Sequence, residues 1–255
     1  MTMLNQPIVE QLKELKLSGV LRAWELQQSD TRFHSLSFEE RLAHCAEAEI
    51  HDRSQKRQTR LLNQAKLKQS GACIEDINYT ARRGLDKAQV SSLALCQWVE
   101  ENQNVIITGP TGVGKTWLAC ALAMQVIRRG WPVLYLRVSR FLEQTAIARA
   151  DGSLPKLRVR LAKCHLLILD DWGLSPLTEV GRQDLLECID DRSGNGSIIL
   201  ASQLPIKSWY DYIGEPTLAD AILDRIVHRS HKLELQGASM RKRVGMGSAT
   251  KEGKL

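Results

Sequence analysis

Nowhere in this chain do apolar residues run on for the roughly 18 positions that a membrane-spanning helix needs, and its start lacks the basic stretch and apolar core of a secretory leader. A soluble cytoplasmic protein with no membrane partner is the expectation. The six cysteines, Cys45, Cys73, Cys96, Cys120, Cys164 and Cys188, never form a CxxC pair, which argues against a zinc site and a disulfide frame and for reduced, mostly buried thiols. Internal repeats and low-complexity tracts are also missing, which sets aside a repeat architecture.

With 255 residues, 43% of them hydrophobic, the chain suffices for one α/β core and a small accessory domain. A formal net charge of +6 leans toward an acidic partner, of which DNA is the usual one. From Pro7 to about Ser70 the pattern is helical, with Ile8, Leu12 and Leu15 at helical spacing and Ser37-Phe38-Glu39-Glu40 in the form of a capping box. Residues 1–70 therefore read as a small all-helical N-terminal domain. Periodicity is lost at Gly71, Asn78 and Gly84, which places a linker at 71–85. A second domain occupies 86–244, and 245–255 reads as a disordered tail.

In that second domain five short apolar runs alternate with helical patterns: Val105 to Thr108, Val133 to Val138, Leu166 to Leu169, Ile198 to Ala201, and Leu233-Glu234-Leu235. Such alternation predicts a five-stranded parallel sheet covered by helices on both faces. Helices are expected from Lys115 to Arg129, around Leu185, Leu186 and Ile189, and after Pro216, where Leu218, Ile222 and Ile226 form one stripe.

Between the first strand and the first of these helices lies Gly109-Pro110-Thr111-Gly112-Val113-Gly114-Lys115-Thr116, a P-loop. Glycines let consecutive backbone N–H groups approach a phosphate chain. Lys115 brings positive charge to the β- and γ-phosphates, and Thr116 offers a hydroxyl to Mg²⁺ at the start of a helix whose dipole adds attraction. ATP and Mg²⁺ are the expected ligands. Asp170 and Asp171 end the run Leu166 to Leu169, where Asp170 is positioned to hold magnesium and Asp171 to orient or deprotonate the attacking water. Many such enzymes carry Glu at the second place, and the shorter Asp suggests slow hydrolysis.

If the strand Ile198 to Ala201 is inserted between the two that carry these motifs, Gln203 at its end is the candidate sensor of the γ-phosphate. Arg225, on the helix after Pro216, has no carboxylate three or four residues away, and Arg229 has none either. Either could be offered to a neighbouring subunit's nucleotide, and a solvated or distantly paired arginine fits the same pattern.

Taken together, Leu12-Lys13-Glu14-Leu15-Lys16-Leu17, Phe38-Glu39-Glu40, the P-loop, Leu169-Asp170-Asp171-Trp172-Gly173 and Ala219-Asp220-Ala221-Ile222-Leu223-Asp224-Arg225 resemble the IstB-like ATP-binding proteins. These are helper ATPases of bacterial insertion sequences, related to the DnaC helicase loaders of the AAA+ class. The resemblance implies a P-loop AAA+ domain and a helical N-terminal domain that engages the cognate transposase. It also implies a homo-oligomer on duplex DNA with ATP between subunits. It gives Gly109 to Thr116 the P-loop role, Asp170 and Asp171 the Walker B roles, Gln203 the sensor role and Arg225 the finger role. Arg241, in Gly237-Ala238-Ser239-Met240-Arg241, resembles the group's final arginine motif and equally reads as part of a basic tail.

Between Arg53 and Lys68 there is no acid, and on a continuous helix Arg53, Lys56, Arg57, Arg60 and Lys68 fall within an arc of roughly 120°. Such a face neutralises phosphates without reading bases, and also suits a solvated helix or an acidic protein partner. The expected function is an ATP-dependent, sequence-tolerant duplex-DNA-binding helper that assists a transposase, its hydrolysis regulated by assembly. A DnaC-like helicase loader is the alternative. A small-molecule kinase would use the same loop, but no separate arginine-dense lid follows the third strand. A DNA-binding protein with a vestigial site is opposed by the intact Lys115, Thr116 and Asp170.

Overall fold

In the computed structural model, which describes residues 6–79 and 83–240, the chain divides into two units, Met1–Arg60 and Leu61–Leu255. The division falls inside a helix and before the boundary expected near residue 70.

The first unit holds α1 (Gln6–Glu14), α2 (Ser18–Ser29), a short 3-10 turn (Thr31–Ser35) and most of α3 (Phe38–Ala65). The start of α3 is a capping box: Ser37 Oγ accepts from Glu40 N at 3.2 Å, and Glu40 Oε2 accepts from Ser37 N at 2.8 Å. Two carboxylates of α3 serve the start of α2. Glu49 Oε2 accepts from Gly19 N at 2.7 Å and Val20 N at 3.2 Å, and Asp52 Oδ2 accepts from Ser18 Oγ at 2.9 Å. These otherwise orphaned N–H groups and the positive end of the α2 dipole thus meet negative charge.

In the second unit, α4 (Lys87–Ala94) and α5 (Gln97–Glu100) precede β1 (Asn104–Thr108) and α6 (Lys115–Arg128). Then come β2 (Val133–Arg137), α7 (Val138–Ala150), α8 (Leu154–Ala162), β3 (Leu166–Trp172), α9 (Glu179–Arg192) and β4 (Ser197–Ser202). The unit closes with α10 (Trp209–Ile213), α11 (Pro216–Val227) and β5 (Ser230–Glu234). All pairings are parallel, in the order β2-β3-β4-β1-β5, so β4 is inserted between the strands that carry the P-loop and the paired aspartates.

The two faces of the sheet bury separate cores. Val105, Ile107, Leu166, Ile168 and Ile199 pack with Leu118, Leu122 and Val126 of α6, whereas Ile106, Leu167, Leu169, Ile198 and Leu200 pack with Leu185 and Ile189 of α9 and Ile222 of α11. Central strands buried on both faces read as continuous apolar runs, which is why β1, β3 and β4 stand where expected. Val138, expected to end the second strand, begins α7 instead. β5 starts at Ser230, ahead of the expected Leu233 to Leu235 run; as an edge strand it keeps Ser230 and His231 half-exposed and Lys232 exposed.

Arg192, only 2% exposed, ends α9 and donates to the carbonyls of Leu161 at 2.7 Å, Cys164 at 3.0 Å and Ser197 at 2.7 Å. It ties the end of α8 to the starts of β3 and β4. All six cysteines are free and all but Cys73 are buried; burial pushes the thiols of Cys96 and Cys188 up to about 11 and about 12. Among the described residues no helix is long and apolar enough to cross a membrane.

Candidate nucleotide site

Parallel strands bring their carboxyl ends to one edge of the sheet, and the crevice there is where ligands of such folds bind. Here the ends of β1, β2, β3 and β4 supply Gly109, Arg137, Asp170 with Asp171, and Gln203.

The loop from Gly109 to Thr116 connects β1 to α6. Gly109 has φ 145°, and a side chain on it would place Cβ 2.2 Å from Leu235 O. Gly112 has φ 85°, and its Cβ would come 2.1 Å from Ser239 Oγ. Both positions need glycine. The chain after β5 lies across the loop, with Leu235 N donating to Thr108 O at 2.7 Å and Met240 N to Gly112 O at 2.8 Å. Val113 is fully buried. Lys115 is buried and its Nζ donates to Gly109 O at 2.7 Å and Pro110 O at 2.8 Å, so the ammonium is folded back onto the loop it serves.

Thr116 and Asp170 meet directly, Thr116 Oγ1 donating to Asp170 Oδ2 at 2.8 Å. Tyr135 OH donates to the same oxygen at 2.6 Å, and Asp171 N donates to Asp170 Oδ1 at 2.9 Å. Asp170 is 1% exposed, and these three donors hold its orientation. Burial, and next the hydrogen bond to Asp170, raise the Tyr135 phenol far above its ordinary pKa, so it stays a neutral donor. Register between β3 and β4 shifts between Leu169 and Trp172, and Asp171 takes a φ of 60°. The bulge re-aims the two aspartates. Asp171 is half-buried, with Oδ2 3.4 Å from Arg137 Nε.

Gln203 Oε1 accepts from Thr111 Oγ1 at 2.5 Å, which brings the sensor candidate to the P-loop. A cavity of about 600 Å³ joins these groups; Lys68, Arg83, Thr111, Thr116, Asp171 and Gln203 are among its walls. Among the described residues no cluster of three or more His, Cys, Asp or Glu could hold a metal by itself. Thr116 Oγ1 with Asp170 is instead a sparse set of hard oxygen donors, the kind that holds Mg²⁺ when phosphates and water complete the shell.

Three expectations fare differently. Arg225 does not line this cavity; its Nε meets Asp190 Oδ1 of α9 at 2.6 Å and its Nη1 donates to Ala221 O at 3.0 Å. The alternative, Arg229, follows α11 just before β5. Arg241 lies outside the described residues. The continuous basic face is corrected: α3 ends at Ala65, Lys66 takes a left-handed φ of 52°, and Lys68 leaves the helix to line the nucleotide cavity. Arg53, Lys56, Arg57 and Arg60 remain on α3, where Arg53 pairs with Glu49 and Lys56 with Asp52, each at 2.7 Å. Part of the stripe's charge is therefore answered by the carboxylates one turn earlier.

Tyr135, Arg137 and Arg83 are the site residues that sequence reasoning missed. Once β2 is known to neighbour β3, its last residues must flank Asp170, since Arg137 is in register with it. No local signal marks Arg83, which lies in the segment expected to be a linker.

Comparison with known proteins agrees with this geometry. The family model described as IstB-like ATP binding protein matches residues 10–248. An insertion-sequence ATP-binding protein of Pseudomonas fluorescens is 50% identical over 203 residues, covering 80% of this chain and 88% of that protein. Another, of Sinorhizobium fredii, is 43% identical over 240 residues, covering 94% of this chain and 98% of its own length. Among solved structures, that of DnaI covers 69% of this chain and 93% of its own at a TM-score of 0.56 and 18% identity. AMPPCP-bound DnaA from Aquifex aeolicus covers 71% and 55% at a TM-score of 0.53 and 16% identity. The shared architecture is that of the P-loop AAA+ proteins.

Proposed function

Because this chain belongs to the family of IstB-like ATP-binding proteins, we propose that it is an ATP- and Mg²⁺-dependent helper that oligomerises on duplex DNA and assists a transposase. The observation that carries the reading is the hydrogen bond of Thr116 to Asp170 beside a complete P-loop, which gives nucleotide and metal a ready site. The relatives belong to insertion sequences, which supplies the transposition context.

The loop amides and Lys115 bind and orient the triphosphate. Thr116 and Asp170 hold Mg²⁺, which when bound neutralises charge on the β- and γ-phosphates. Asp171 orients the attacking water, and Gln203, tied to Thr111, is placed to respond to the γ-phosphate. Arg225, or Arg229 in its place, is offered to the nucleotide of a neighbouring subunit, so ATP acts mainly as assembly glue. Arg241 adds a further nucleotide contact. Arg53, Lys56, Arg57 and Arg60 supply sequence-tolerant phosphate contacts in the N-terminal domain, and the same domain meets the transposase.

The test is binding of a long, arbitrary duplex by the wild type and by Lys115→Ala, with and without ATP and Mg²⁺, while assembly size is followed. ATP-dependent growth of large complexes in the wild type, lost in Lys115→Ala, is expected. Duplex binding indifferent to ATP would remove the mechanism, and a preference for single strands would move the helicase-loader reading ahead.

A further inference from the structure

Arg83 stands in the wall of the nucleotide cavity as a buried cation without a counter-ion among the described residues. Its main chain is fastened, with the carbonyl accepting from Gln236 N at 2.8 Å. Only 8% of its surface is exposed. Nη2 donates to Asn78 O at 2.8 Å, Nη1 reaches Val113 O at 3.4 Å, and Nε is buried with no hydrogen-bond partner among the described residues. Among the described residues no carboxylate pairs with it; Asp76 and Asp171 line the same cavity without an ion pair to Arg83. Burial correspondingly pulls its basicity below the usual arginine value.

A guanidinium carries five N–H donors in a fixed fork, and two main-chain carbonyls do not use it up. Nor do they need a positive charge; a neutral donor would satisfy them. Buried charges are ordinarily paired, so an unpaired one in a cavity wall points to an anion that arrives from outside. The position says which anion. A Cβ on Gly114 would lie 3.2 Å from Nη1, so the guanidinium rests against the turn where α6 begins, the part of a P-loop whose backbone faces nucleotide phosphates.

We propose that Arg83 is a further nucleotide-binding residue, whose missing counter-charge is the phosphate chain of the bound nucleotide. The inference rests on ATP binding at the P-loop and on nothing about DNA or a transposase. It makes Asn78 and Arg83 part of the wall that meets the bound nucleotide.

The test is calorimetric titration of the full chain with ATP, ADP and adenosine, beside thermal unfolding without nucleotide, for the wild type, Arg83→Met and Arg83→Lys. Arg83→Met is expected to weaken ATP and ADP about 10- to 100-fold, the size of a lost charged hydrogen bond, and to leave adenosine binding nearly unchanged. Its melting temperature without nucleotide is expected to hold or rise, because an uncompensated buried charge has gone. Arg83→Lys restores the charge without the fork and recovers part of the affinity. Wild-type affinity for ADP in Arg83→Met would overturn the proposal, as would a fall in nucleotide-free stability with affinity unchanged. Should Arg83→Met not fold, Arg83→Gln, which keeps N–H donors and loses the charge, takes its place, and wild-type affinity for ADP in it would overturn the proposal. A wild type that binds neither ATP nor ADP would count against the P-loop reading itself, which separates the two failures.

Discussion

Asp170 receives donors on both oxygens, from Thr116 and Tyr135 on one and from the Asp171 N–H on the other, so its position is set by the protein before any ligand arrives. Such preorganisation spares a site the cost of reorienting dipoles during reaction. Asp171 is held differently. Its contact to Arg137 at 3.4 Å is loose and both side chains are partly exposed, so the pair is worth at most about 1 kcal/mol. Arg137 nevertheless competes with water for the carboxylate that would activate it. Arg137→Met is therefore expected to raise ATP hydrolysis without DNA, by no more than about fivefold, since 1 kcal/mol corresponds to that factor in rate. ATP affinity should stay as it was. Steady-state hydrolysis beside nucleotide titration checks this, and slower hydrolysis at unchanged affinity would assign Arg137 to the phosphates instead.

At the scale of elements, the clasp between α2 and α3 makes the first unit sensitive to acid. Glu49 is held below the usual carboxylate range, chiefly by its bond to Arg53 and also by the Gly19 and Val20 N–H groups, and Asp52 likewise by Lys56 and Ser18. A depressed folded-state pKa contributes stability that is whole above the unfolded value, about 4, and is lost as pH falls through the lowered one. Hydrogen exchange at the start of α2, taken relative to the intrinsic rate at each pH, is thus expected to quicken below about pH 4. Glu49→Ala should quicken it already at neutral pH, as a lost helix cap worth about 1 kcal/mol would, and should flatten the dependence on acid. Exchange at Gly19 and Val20 unaffected by the substitution would mean that the cap carries no stability. The elements also show what the chain's pattern reveals and what it hides. The runs of β1, β3 and β4, the P-loop and the aspartate pair are local in sequence and legible there. The end of β5 is legible in Leu233-Glu234, but its start at Ser230 is hidden because an edge strand need not be apolar, and Lys68 is misread because one left-handed residue, Lys66, ends a helix that the charge pattern would continue. Tyr135, Arg83 and Arg192 act on partners far away in sequence, so no spacing rule announces them.

At the scale of the whole molecule, what matters is how a site closed at one end by its own chain could also need another chain. Arg225 lines no wall of its own cavity, and within the chain it is engaged by Asp190 on α9. If Arg225 reaches a neighbouring subunit's nucleotide, that pair must open on assembly, and the exposed contact with Asp190 costs at most about 1 kcal/mol to break. Two substitutions then move in opposite directions. Arg225→Ala is expected to bind ATP with wild-type affinity, because its own cavity is untouched, and to fail in ATP-dependent assembly. Asp190→Asn, which frees Arg225 without altering it, is expected to lower the protein concentration at which assembly begins, by about fivefold at most. Light scattering or analytical ultracentrifugation with ATP and Mg²⁺, beside nucleotide titration of each variant, measures both. If Arg225→Ala assembles normally but unfolds more readily, the arginine is a staple between α9 and α11, and Arg229 becomes the candidate for the same experiment. If Arg225→Ala and Arg229→Ala both assemble as the wild type does, neither arginine carries the subunit contact.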